Sequence, residues 1–181
     1  MSGSVVYFAC KVGKADRLQE VKMKGCRVIF LDVDGVLNNA DTRGEWDPYV
    51  KIDDFLVARL SEIVRATDAA IYLVSDWKRE WYKDNKAIQD TYADFLDFKL
   101  AQFGLKIADK VEGGSCTRGK NINEFFKKHD VTSYVILDDD DYDYYDCGHG
   151  ANYVPIYAAV GLTDENVETA IDILNDENKT I

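Results

Sequence analysis

Four short apolar runs punctuate the chain. Val28-Ile29-Phe30-Leu31 opens into Asp32-Val33-Asp34-Gly35, Ala70-Ile71-Tyr72-Leu73-Val74 ends at Ser75, and Tyr134-Val135-Ile136-Leu137 runs into Asp138. Residues 152–156 make a weaker fourth. Uninterrupted β-branched and aromatic runs of this length suit strands buried on both faces of a parallel sheet. Between them the period changes. Phe55, Leu56, Ala58, Leu60, Ile63 and Val64 fall mostly on one side of a helix that Asp53 or Asp54 would cap. Residues 78–103 read as helical with a break near Asp84-Asn85, an apolar stripe of Phe95, Phe98, Leu100 and Phe103, and a stop at Gly104. Gly113-Gly114-Ser115 marks a loop, residues 121–129 a short helix, and Thr163 caps a last helix carrying Val167, Ala170, Ile171 and Leu174. Strands alternating with helices predict an α/β fold with helices on both faces of a parallel sheet. The one apolar piece before Arg27, Val5 to Ala9, predicts an extra strand or arm over residues 1–26, with the main domain over 27–181.

The 181 residues fit one domain, and 46% apolar with 30% charged residues is ordinary for a globular chain. No stretch approaches the roughly 18 apolar residues that a membrane helix requires, so no membrane partner is expected. The start of the chain lacks the basic and apolar pattern of a secretory signal. Cys10, Cys26, Cys116 and Cys147 are scattered with no Cys-x-x-Cys pair, a pattern expected of reduced thiols in a cytoplasm. The net charge of -11 argues against generic affinity for phosphate backbones. Part of it sits in the run Asp138 to Asp141 with Asp143 and Asp146, where a bound cation would offset it.

In a doubly wound sheet, ligands bind beyond the carboxyl ends of the strands. Three strands here deliver polar groups to that end: Asp32 and Asp34, then Ser75, then Asp138 and Asp139. Cleavage of a phosphate monoester needs a nucleophile, an acid for the leaving oxygen and positive charge on the phosphoryl oxygens. Asp32 is placed to attack phosphorus, and Asp34 to serve as general acid and then base. Two carboxylates beside a dianion need a hard cation, and oxygen ligation selects magnesium, with Asp139 as third anchor. Ser75 offers a hydroxyl to a phosphoryl oxygen, and Arg118 or Lys120 supplies the remaining positive charge.

The stretch from Val28 to Asn38 resembles the first motif of the haloacid dehalogenase (HAD) superfamily, an apolar strand followed by Asp-x-Asp-Gly. Ser75 resembles the second motif, Arg118 or Lys120 the third, and Leu137-Asp138-Asp139-Asp140 the fourth. The finer pattern is similar to the HAD domain of Swiss Army knife RNA-repair proteins. Gly35-Val36-Leu37-Asn38, Ser75-Asp76-Trp77-Lys78, Arg118-Gly119-Lys120-Asn121-Ile122 and Gly161-Leu162-Thr163 carry this second likeness. It departs at Lys78, where that group usually has Arg, and at Asn121, where it usually has Glu.

The resemblance implies a Rossmann-like three-layer sandwich with a central parallel sheet, capless or with a minimal cap. It implies a magnesium-dependent phosphatase with an aspartyl-phosphate intermediate on Asp32 and Asp34 as acid/base. The metal would take Asp32, the backbone carbonyl of Asp34, and a carboxylate of the fourth motif: Asp139, or alternatively Asp138 or Asp143. An open site suits a nucleotide or nucleic-acid end phosphate, whereas the acidic charge favours a small phosphoester; no obligate protein partner is inferred. A non-catalytic phosphate- or protein-binding module and a phosphotransferase are the rival classes. Trp77, Trp81 and Tyr82 are expected in the core rather than on a base, and Cys147 and His149 in a surface loop. The tyrosines 142, 144 and 145 either shape the site mouth or pack.

Overall fold

The computed structural model describes residues 26–39, 42, 51–83 and 92–176. Apart from Cys26, the arm expected over residues 1–26 lies outside the described residues, as does the expected break near Asp84-Asn85.

Five parallel strands form one sheet: β1 (Cys26–Leu31), β2 (Ala70–Leu73), β3 (Ile107–Lys110), β4 (Val131–Asp138) and β5 (Tyr153–Pro155), in the order β3-β2-β1-β4-β5. Helices α1 (Asp54–Thr67), α2 (Tyr92–Gln102), α3 (Arg118–Phe126) and α4 (Asp164–Asn175) connect or follow them. Period-two alternation explains why the strands are apolar throughout. Ile29, Leu31, Val135 and Leu137 join the core that α1, α2 and α4 cover. Val28, Phe30, Tyr134 and Ile136 turn to the opposite face and meet Ile122 and Phe125 of α3. Each such side chain fully buried stabilises the fold by roughly 1.5–3 kcal/mol. The architecture is therefore the α/β three-layer sandwich expected from the sequence.

The ends of the elements follow local chemistry. Asp53 caps α1 by accepting the Phe55 N–H, and Thr163 forms a reciprocal capping box with Asn166 at α4. Gly104, at φ 74°, follows α2. Two boundaries differ from expectation. The stretch after Ser75 begins as a short 3-10 turn, Asp76–Arg79, with α2 starting at Tyr92. Helix α3 begins three residues early, at Arg118, which brings that side chain into its first turn.

Strand order reverses between β1 and β4, the two strands that neighbour each other without the chain running on in the same direction across the sheet. That switch point opens a crevice at the carboxyl ends. Register decides what faces it. Leu31 pairs with Leu137, and the Asp32 N–H donates to the Leu137 carbonyl at 2.9 Å, so Asp32 and Asp138 leave their strands side by side.

Candidate active site at the carboxyl ends of β1 and β4

Asp32, Asp138 and Asp139 each present a carboxylate oxygen within 4.8 Å of the others. Asp32 is 4% exposed and Asp138 is fully buried. Among the described residues, one cation enters this group. Arg118 Nη1 lies 3.0 Å from Asp32 Oδ2 and 2.5 Å from Asp138 Oδ2, and its guanidinium stands 4.1 Å over the Tyr142 ring. Burial lowers the arginine's proton affinity, but Asp32 and then Asp138 outweigh it, so Arg118 stays charged.

Asp138 is held on both oxygens. The Tyr144 hydroxyl donates to Oδ2 at 2.6 Å and the Asp140 N–H to Oδ1 at 3.1 Å. Asp32 Oδ1 accepts the N–H of Val33 at 2.8 Å. Asp139 packs against the α-carbon of Gly35, where φ is 73° and an added Cβ would overlap its carboxylate. Both the left-handed backbone and the close approach require glycine there. Gly35→Ala should therefore displace Asp139 and cost roughly 1–3 kcal/mol, read as a lowered urea midpoint together with weakened magnesium binding.

Three carboxylates against one guanidinium leave a surplus of negative charge in a buried place. Burial first, and the charge of Asp32 second, raise the pKa of both Asp138 and Asp139 from their ordinary values. The donors are all oxygen and converge on one point, which is the chemistry a hard divalent cation takes. The residues fit magnesium.

The structure separates the remaining sequence candidates. Asp34 lies outside the three-carboxylate group and is bonded on both oxygens, by Trp77 Nε1 to Oδ2 at 3.0 Å and by Asn38 Nδ2 to Oδ1 at 2.9 Å. Ser75 is buried at the end of β2, and its Oγ accepts the Trp77 N–H. Lys120 is exposed, and its backbone N–H, like that of Gly119, points to Asp143. Asp143 thus serves the N-terminus of α3. Burial opposes its ionisation, but those N–H groups prevail and hold its pKa below the usual value. Of the two cations left open by the sequence, the geometry brings Arg118 to the carboxylates and leaves Lys120 at the surface. Among the fourth-motif acids it brings Asp138 and Asp139 but not Asp143.

Trp77 and Trp81 are core residues and Tyr82 is exposed, so only the first two match the core expectation. His149 is the clear misreading. It is 2% exposed rather than on the surface, and its ring bridges the Tyr134 hydroxyl at 2.8 Å and the Gly119 carbonyl at 3.0 Å. Since a carbonyl only accepts, Nε2 carries the proton and Nδ1 accepts from tyrosine. Burial lowers the His149 pKa, in keeping with the neutral ring. A Cys-x-His spacing in a polar, glycine-flanked stretch carries no sign of this burial. Tyr144 and Asn38 were also missed as partners of the two key carboxyls; the tyrosine run was the available signal for the first, and the position of Asn38 within the first motif for the second.

With its parallel sheet and the acidic residues gathered where β1 and β4 end, the chain is a HAD-like domain. More narrowly, it belongs to the family of HAD domains in Swiss Army Knife RNA repair proteins, whose model matches residues 28–167. No curated protein matches the chain. No helix among the described residues is long and apolar enough to cross a membrane.

Proposed function

We propose that the chain is a magnesium-dependent phosphomonoesterase that passes the phosphoryl group through Asp32. The observation that carries this reading is the convergence of Asp32, Asp138, Asp139 and Arg118 at the switch point of the sheet. Magnesium, when bound by Asp32, Asp139 and the Asp34 carbonyl, supplies charge neutralisation for the carboxylates and the phosphoryl oxygens.

The chain's own residues do the rest. An Asp32 oxygen attacks phosphorus as the bond to the leaving oxygen breaks, and Asp34 gives that oxygen a proton. Water then attacks phosphorus, Asp34 takes its proton back, and the bond to Asp32 breaks to release phosphate. Arg118 holds the Asp32 carboxylate in place and faces the charge that builds in the transition state. Ser75, one strand over, offers its hydroxyl to a phosphoryl oxygen.

Among the described residues, the segments between β1 and β2 and between β2 and β3 carry α1 and α2, both packed into the core. This supports a site with little cap, which suits a phosphate on a bulky molecule. The family's tie to RNA repair favours a nucleotide or nucleic-acid end phosphate, and the net charge of -11 favours a short substrate over a long duplex.

Hydrolysis of p-nitrophenyl phosphate is expected with magnesium and not with EDTA. A phosphate-release screen of 3′- and 5′-phosphorylated oligonucleotides, mononucleotides and sugar phosphates then ranks the substrates. Asp139→Asn should weaken magnesium affinity by roughly 10–100-fold, measured by calorimetry; unchanged affinity would remove Asp139 from the ligand set.

A further inference from the structure

Two tryptophans sit in the same core, and their indole N–H groups have different fates. Trp81 Nε1 donates to Asp97 on α2, at 3.1 and 3.2 Å to its two oxygens, away from the carboxylate cluster. Trp77 Nε1 donates to Asp34, the side chain proposed above to carry the proton. A buried indole needs one acceptor. Any acceptor satisfies the core, so the choice of Asp34 carries the information.

The contact is built from several sides. Trp77 is 9% exposed, its backbone N–H is accepted by Ser75 Oγ at 3.3 Å, and the Tyr92 ring leans on its indole with centroids 5.7 Å apart. On the other oxygen of Asp34, the Asn38 amide cannot be reversed, because its Oδ1 accepts the Gly35 N–H at 2.9 Å. Its NH₂ therefore faces Asp34. A carboxylate has about four lone-pair directions; fixing one on each oxygen removes rotation of the group and leaves the others in set directions.

We infer that Trp77 is a positioning residue that aims the Asp34 carboxyl at the leaving oxygen, and that the site is thereby built for phosphate esters of sugar or other alkyl alcohols. The inference rests on the proposed role of Asp34. An alkoxide is a strong base and leaves only if protonated as its bond to phosphorus breaks, whereas a nitrophenolate leaves without help. Precise aim of the acid matters only for the first kind.

The test is the dependence of kcat/KM on leaving-group basicity, measured over a series of aryl and alkyl phosphates with magnesium. kcat/KM reports the step in which the leaving oxygen departs, before water enters. For Trp77→Phe, values for alkyl phosphates should fall by roughly 10–100-fold, part of the 10²–10⁴ that a general acid supplies. Those for p-nitrophenyl phosphate should fall by less than about threefold, so the plot steepens. Trp81→Phe, a change in the same core, should shift the plot in parallel if it shifts it at all.

A parallel loss in Trp77→Phe would overturn the inference and leave Trp77 a packing residue. If that variant does not fold, Trp77 replaced by benzothienylalanine, an isostere without the N–H, makes the same measurement. Turnover that survives in Asp32→Asn would overturn the nucleophile reading instead, and Asp32-dependent turnover with a parallel loss would overturn only the role of Trp77.

Discussion

Asp32→Asn should eliminate phosphate release, by roughly 10⁴-fold or more, the scale at which loss of a nucleophile is felt in other covalent mechanisms. The substitution keeps the size of the side chain and its ability to accept the Val33 N–H. It removes the oxygen charge that attacks phosphorus. Folding should survive, because the charge of Asp32 is one of the causes that raise the pKa of both Asp138 and Asp139. Relieving that repulsion offsets part of what is lost in the pairing with Arg118. Wild-type urea stability together with lost turnover is the expected pair of results; lost turnover in an unfolded protein would say nothing of chemistry.

The second large effect is expected at Arg118, and there stability and activity should fall together. Arg118→Met deletes the one cation that, among the described residues, Asp32 and Asp138 share; these carboxylates are 4% and 0% exposed. Two buried carboxylates would then face each other without compensation, and breaking a buried pair this way costs about 3–5 kcal/mol. Turnover should drop by roughly 10²–10³-fold for lack of a donor to the transition state. Adding Asp138→Asn removes one of the stranded charges, so the double variant should regain stability but not activity. Magnesium should stabilise Arg118→Met more than the wild type, because it supplies the positive charge the variant lacks. Urea midpoints of the three proteins, with and without magnesium, decide this. Equal losses in the single and double variants would mean that packing of the arginine stem, not its charge, was at stake.

The central strands were legible because burial on two faces writes an uninterrupted apolar run, and β1, β2 and β4 have one. Strand β3 was not. Ile107-Ala108-Asp109-Lys110 lies at the sheet edge with only Ile107 buried, and Asp109 pairs with Lys83 across exposed surface. An edge strand can be half polar, so its period resembles that of a loop. The pairing of Arg118 rather than Lys120 was equally illegible. It depends on where α3 begins, two residues decide it, and both have side chains of the same sign. The convergence of Asp32 with Asp138 could be expected from the chain direction of two strands but not measured. It needs the Leu31 to Leu137 register, which no local spacing encodes. The hydrogen bond from Trp77 to Asp34 was hidden for a different reason. The size of a tryptophan announces burial even between Asp76 and Lys78, while the partner of its single N–H is a property of the packed fold.

Rapid mixing with an excess of phosphomonoester and magnesium, quenched in acid, followed by peptide mass analysis, tests the account most directly. An added phosphoryl group on the peptide that contains Asp32, lost on alkaline hydrolysis and missing from Asp32→Asn, is the predicted result. Full phosphate release with no phosphorylated peptide at any time, or with the group on another residue, would contradict it.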